Sequence, residues 1–119
     1  MLDHPSQLTR KFISNLFNQG KSDLDSSDFV PVGSGQVGDC YRVKLNWNNA
    51  KDCPASLIAK CPAQDTSSRD TARNLHLYEI EVSFYKHLSA RCSARVPEPY
   101  FADYDSETSD GILLLEDMY

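Results

Sequence analysis

The sequence predicts an α+β fold: an antiparallel five-stranded sheet with one long helix, preceded by an N-terminal helix. Three observations carry this. The apolar residues alternate with period two over 39–47, recur with helical spacing over 5–19 and 70–90, and are joined by short turns at NNAKDCP and DSETSDG where strand follows strand. Neighbouring strands joined by short turns pair antiparallel, which separates this class from α/β.

The elements follow in order. In PSQLTRKFISNLFNQ at 5–19, Leu8, Phe12 and Leu16 are spaced by four, with Ile13 and Phe17 alongside, and Gly20 is placed to stop the helix. KSDLDSSD is a polar connector rich in turn formers. DFVPVG at 28–33 reads as a short strand entering a glycine cluster. In DCYRVKLNW, Tyr41, Val43, Leu45 and Trp47 face one way and Cys40, Arg42, Lys44 and Asn46 the other, the clearest strand in the chain. NNAKDCP makes a turn, ASLIAKC a third strand, 62–69 a loop and 70–90 the long helix. Pro97 and Pro99 open a strand through Tyr104, and DSETSDG connects it to a last apolar strand, ILLLE. The organisation expected is an N-terminal helix and connector over 1–27, then a lobe over 28–119.

Composition excludes several classes. With 40% hydrophobic and 24% charged residues among 119, the chain has ordinary globular usage. No apolar run reaches the ~18 residues of a membrane span, and MLDHPSQLTRKF lacks the pattern of a secretory signal. A cytoplasmic protein is expected. Net charge is −5, and the second half carries 11 acidic against 5 basic residues, so nucleic acid is a poor partner. Cys40, Cys53, Cys61 and Cys92 form no C-x-x-C pair, and His4, His76 and His87 lie apart from them. Free thiols, not a zinc site, are expected.

Gly33-Ser34-Gly35-Gln36-Val37-Gly38 matches G-x-G-x-x-G. A dinucleotide fingerprint must run into a helix whose amino end meets the pyrophosphate. Here an alternating strand follows, the arrangement of a kinase-type lid whose backbone amides close over nucleotide phosphates. Glycine suits that task because a side chain would hold the backbone off the ligand. A plain glycine-rich hairpin is the alternative.

Lys60 closes the apolar run Leu57-Ile58-Ala59. Such an amine must reach solvent or find an anion. On a helical wheel through 75–88, Leu75, Leu77, Tyr78, Ile80, Val82, Phe84, Tyr85 and Leu88 cover an apolar arc of about 220°. Glu79 falls on the polar face, whereas Glu81 falls near the middle of the apolar arc. A carboxylate there must be neutral or paired, and Lys60 is the candidate partner. At the end of the last strand, Leu115, Glu116, Asp117 and Met118 turn abruptly from apolar to acidic, either a hinge bordering a nucleotide site or a buried strand leaving the core.

Other signals are weaker. Asp103, Asp105, Glu107 and Asp110 suggest a calcium loop, but the required sixth-position glycine and twelfth-position glutamate are Thr108 and Leu114. Ser34 has no nucleophile-elbow context and no neighbouring base.

Taken together, GSGQVGDCYRVKL at 33–45, PASLIAKCPA at 54–63, LYEIEVSFYKHL at 77–88, RVPEPYFADYD at 95–105 and ILLLEDM at 112–118 resemble the amino-terminal, protein-kinase-like lobe of the aminoglycoside phosphotransferase and choline kinase-like enzymes, in particular the ecdysteroid kinase-like branch. The resemblance implies an ATP-dependent small-molecule kinase that passes the γ-phosphoryl group to a substrate hydroxyl with Mg2+. It assigns Gly33 to Gly38 to the phosphate lid, Lys60 to the nucleotide phosphates, Glu81 to holding Lys60, and Leu115 to Met118 to the adenine hinge. The family's catalytic aspartate loop, its asparagine and its magnesium-binding aspartate have no counterpart in residues 1–119. The expectation is therefore an ATP-binding half, inactive alone, with acceptor and magnesium contacts in a second lobe. The alternative is a non-catalytic interaction module, or a relic, that kept the lobe without the chemistry.

Overall fold

A computed structural model of the chain describes residues 2–18, 24–33, 38–48 and 53–118. Five strands, β1 (Leu24–Pro31), β2 (Gly38–Trp47), β3 (Ser56–Pro62), β4 (Pro99–Asp105) and β5 (Asp110–Glu116), form one sheet in the order β1-β2-β3-β5-β4. Every neighbouring pair is antiparallel. The α+β class and the five-stranded antiparallel sheet are as the sequence predicts.

Strand alternation sends two sets of side chains to opposite faces. Tyr41, Val43 and Leu45 of β2, Leu57, Ala59 and Cys61 of β3, and Ile112 and Leu114 of β5 form one buried cluster. Helix α1 (Arg10–Asn18) covers it, contributing the fully buried Ile13, with Phe12, Leu16 and Phe17 packed at the margin. Edge-to-face ring contacts, Phe12 on Phe101 and Phe17 on both Trp47 and Tyr100, carry this layer toward the β4 edge. Leu113 and Leu115 point the other way and meet Val82 and Tyr85.

Three expectations need correction. Strand β1 begins at Leu24, inside the stretch read as connector, because Leu24 is buried in the core cluster and the Ser14 hydroxyl accepts its amide. The first helix is split, with a single 3₁₀ turn at Pro5–Gln7 capped by His4 before α1 starts at Arg10.

The third correction matters most. The single long helix over 70–90 is instead α2 (Thr66–Asn74) and α3 (Leu77–Ser83), continued by a π-helical turn at Phe84–Leu88 and a 3₁₀ turn at Ser89–Arg91. Asp65 caps α2 by accepting the Ser68 amide, so the helix starts inside the predicted loop. His76 has φ of 57°, in the left-handed region that ends a helix. Neither glycine nor proline marks that break. The helical wheel therefore fails at three positions: Leu75, Ile80 and Leu88 are 59%, 62% and 55% exposed, although all three fell on the apolar arc.

Helix α2 is tied to β5 through charge. The buried carboxylate of Asp110 accepts hydrogen bonds from Arg69 and Arg73, one turn apart on α2, and Arg69 also reaches Asp3. Helix α3 then lies close on β5 at Gly111, where a Cβ would stand 2.8 Å from Val82 Cγ2.

Candidate functional site

The face of the sheet opposite α1 carries the candidate site. Cys40 and Lys60 are directly opposed in the β2–β3 ladder, and Arg42 and Ile58 form the next same-face pair. Lys60 Nζ donates to Glu81 Oε1, closing an ion pair between β3 and α3 with each side chain 36% exposed. Burial works to lower the Lys60 pKa, but the hydrogen bond and charge of Glu81, with Cys40 and Tyr85 nearby, outweigh it and hold the ammonium above its ordinary range. The Cys40 thiol is half-buried. Desolvation pushes its pKa up, with Lys60 opposing and Glu81 and Asp39 reinforcing.

Two cavities meet at this ion pair. The larger, about 740 Å³, is bounded by Val32, Gly33, Cys40, Arg42, Ile58 and Lys60 on one side, and by Tyr85, Pro97, Leu115, Glu116 and Met118 on the other. The smaller, about 210 Å³, lies beneath α3 between Gly38, Lys60, Tyr78, Glu81 and Gly111. Lys60 and Cys40 border both. Tyr85, on the π-helical turn that continues α3, forms part of the wall.

The residues singled out from the sequence fall as follows. Gly33, at φ of 70°, adopts a left-handed conformation suited to glycine and borders the larger cavity. Ser34, Gly35, Gln36 and Val37 lie outside the described residues. Gly38 opens β2, with the Cys61 carbonyl 3.1 Å from where a Cβ would stand. Lys60 and Glu81 are joined as expected. Leu115, Glu116 and Met118 edge the larger cavity, whereas Asp117 turns away to Arg42 and Ser56.

Sequence reasoning missed Cys40, Arg42, Ile58 and Tyr85 as wall residues. The signal for the first two was present: a polar face on β2, a strand that pairs with β3, which is largely buried on both faces. Cys40, Cys61 and Cys92 carry free thiols, and no group of three or more His, Cys, Asp or Glu side chains among the described residues is placed to hold a metal ion. No described helix is long and apolar enough to cross a membrane.

The arrangement offers a charge-anchored lysine at one end of an apolar-walled cleft, a left-handed glycine at its rim, and a strand end at its far side. The chain matches no protein-family model and no curated protein.

Proposed function

We propose that this chain is the ATP-binding lobe of a small-molecule kinase, with a protein-kinase-like arrangement of its sheet and α3. The observation that carries the reading is the Lys60–Glu81 ion pair, set between β3 and α3 at the junction of the two cavities. A lysine held in one place by a carboxylate is a prepared cation for nucleotide phosphates. Support also comes from the motif order: glycine segment, β2, lysine strand, inward glutamate, then a strand ending at the cleft.

In this reading the triphosphate lies toward Lys60 and the glycine segment, and the base lies between Ile58 and the Glu116–Met118 edge. The Glu116 amide already donates to the Glu98 carbonyl at 2.8 Å, so a backbone donor to the base falls to the 117–118 segment. The described residues assemble no metal-binding group, so no magnesium step is assigned to them. Transfer to a hydroxyl acceptor needs a base and metal ligands, and these are proposed to lie in a partner lobe. The free thiols of Cys40, Cys61 and Cys92 suit a reducing compartment such as the cytoplasm.

The test is titration of ATP into the chain, followed by backbone amide NMR shifts, against Lys60→Ala. Wild type should show saturable shifts in β2, β3 and the 116–118 segment. Lys60→Ala should bind roughly tenfold or more weakly, the worth of one charge-assisted hydrogen bond. Equal binding by the variant, or no cleft shifts at millimolar ATP, would refute the reading.

The second reading, an interaction module without chemistry, draws on the exposed Leu75, Ile80 and Leu88. It predicts self-association in light scattering that polar substitution of Ile80 reduces.

A further inference from the structure

The β3–β5 ladder ends at Leu57↔Glu116, so the backbone beyond Glu116 has no ladder bond to β3 that fixes its position against the cavity. Side chains perform that task from two directions. Glu116 is held toward β4: its carboxylate accepts from Arg95 Nη2 at 2.9 Å and from the Glu98 amide at 3.2 Å. Asp117 is held toward β2 and β3: one carboxylate oxygen accepts from Arg42 Nε at 2.9 Å and from the Ser56 hydroxyl at 2.7 Å. The Asp117 side chain is 7% exposed, and its partners come from 75 and 61 residues away in sequence. Arg42 also borders the larger cavity, beside Ile58.

We propose that Arg42 and Ser56 are positioning residues that act through Asp117 to hold the backbone at 117–118 as the base-reading edge of the cleft. The inference rests on the nucleotide reading above. It divides the site into two ends that can be perturbed separately. Lys60 serves the phosphates and senses their charge. The Arg42–Asp117–Ser56 latch serves the base, and Asp117, whose carboxylate is taken up by Arg42 and Ser56, is not among the residues that border the larger cavity.

A carboxylate shared by two donors from separate strands restricts the segment in two directions at once. The planar Arg42 Nε–H and the Ser56 hydroxyl approach the same carboxylate oxygen from different strands, so together they fix its direction as well as its distance. Loss of either donor leaves the segment hinged on the other. Loss of the carboxylate releases both.

The experiment compares wild type with Asp117→Asn, Ser56→Ala, Arg42→Met and Arg42→Lys. ATP and inorganic triphosphate are the two probes, and hydrogen exchange is read at the 117 and 118 amides. Thermal unfolding identifies any variant that fails to fold, and Ser56→Ala, which removes one hydroxyl, is the mildest of the set. The expected result is roughly tenfold weaker ATP binding by Asp117→Asn and Arg42→Met, triphosphate binding unchanged in Asp117→Asn, and faster exchange at both amides. Arg42→Lys should recover part of the loss, since it keeps the charge and gives up the planar guanidinium. Equal losses for ATP and triphosphate would overturn the positioning role, as would unchanged exchange in Asp117→Asn. A wild type that binds neither probe would instead overturn the nucleotide reading. In that case the exchange rates alone judge the latch, and unchanged rates in Asp117→Asn reject it.

Discussion

Replacing Asp110 by asparagine removes one charge from a side chain that is 5% exposed and keeps its shape. Its two oxygens accept four hydrogen bonds, from Arg69 at 3.3 and 2.7 Å and from Arg73 at 2.8 and 2.6 Å. Asparagine keeps one acceptor oxygen and turns an amide N–H₂ toward guanidinium donors, so about half of these contacts are lost. Hydrogen bonds to charged groups contribute about 1.5–3 kcal/mol each. The arginines are 21% and 33% exposed and regain water when released, which discounts the loss to about 2–3 kcal/mol. For a domain of this size that corresponds to a fall in Tm on the order of 10 °C.

The assay is thermal and urea unfolding by circular dichroism at pH 7 and at pH 3. Burial works to raise the Asp110 pKa, but the hydrogen bonds of Arg73 and Arg69 and their charges prevail and hold it below the usual carboxylate range. A depressed pKa contributes stability that is present in full above the unfolded value of about 3.9 and is lost as pH falls through the folded value. The gap between wild type and Asp110→Asn should thus be full at pH 7 and narrower at pH 3. A gap below about 0.5 kcal/mol at pH 7, or one equally wide at pH 3, would refute the argument.

Two more outcomes can be checked. Gly111→Ala drives a Cβ to 2.8 Å from Val82 Cγ2 and 3.3 Å from the Tyr78 backbone oxygen, so unfolding in urea should register a loss of about 1–3 kcal/mol, with displacement of Glu81 visible as altered Lys60 and Glu81 NMR shifts. Thiol labelling at pH 8 should modify exposed Cys92 first and Cys61 last, because burial pushes Cys61 up to about 12; ATP should slow labelling of Cys40 and leave Cys92 unaffected.

The sheet was legible because strand alternation is a local signal: Tyr41, Val43 and Leu45 are buried as their spacing indicates. The pairing of Lys60 with Glu81 was legible because a carboxylate on an apolar face requires a cation. The break at His76 was not, since it rests on a left-handed residue that is neither glycine nor asparagine. The Asp110 clamp was hidden for a different reason. Arg69 and Arg73 sit one turn apart on α2, but their partner lies 41 and 37 residues away on β5, a separation that no local pattern reports. The turn of the Asp117 side chain to Arg42 and Ser56 was not legible, because chain proximity to Glu116 and Met118 says nothing about which way a side chain turns after the ladder ends.

The left-handed residue between α2 and α3 has a consequence for how this fold tolerates change. In an uninterrupted helix, inserting one residue rotates everything downstream by about 100° and would swing Glu81 off the lysine. Here the phase restarts at His76, and α3 takes its orientation from Tyr78 and Val82 against Gly111. The α2 segment can accordingly lengthen or shorten among descendants of this sequence without turning Glu81 away from its partner.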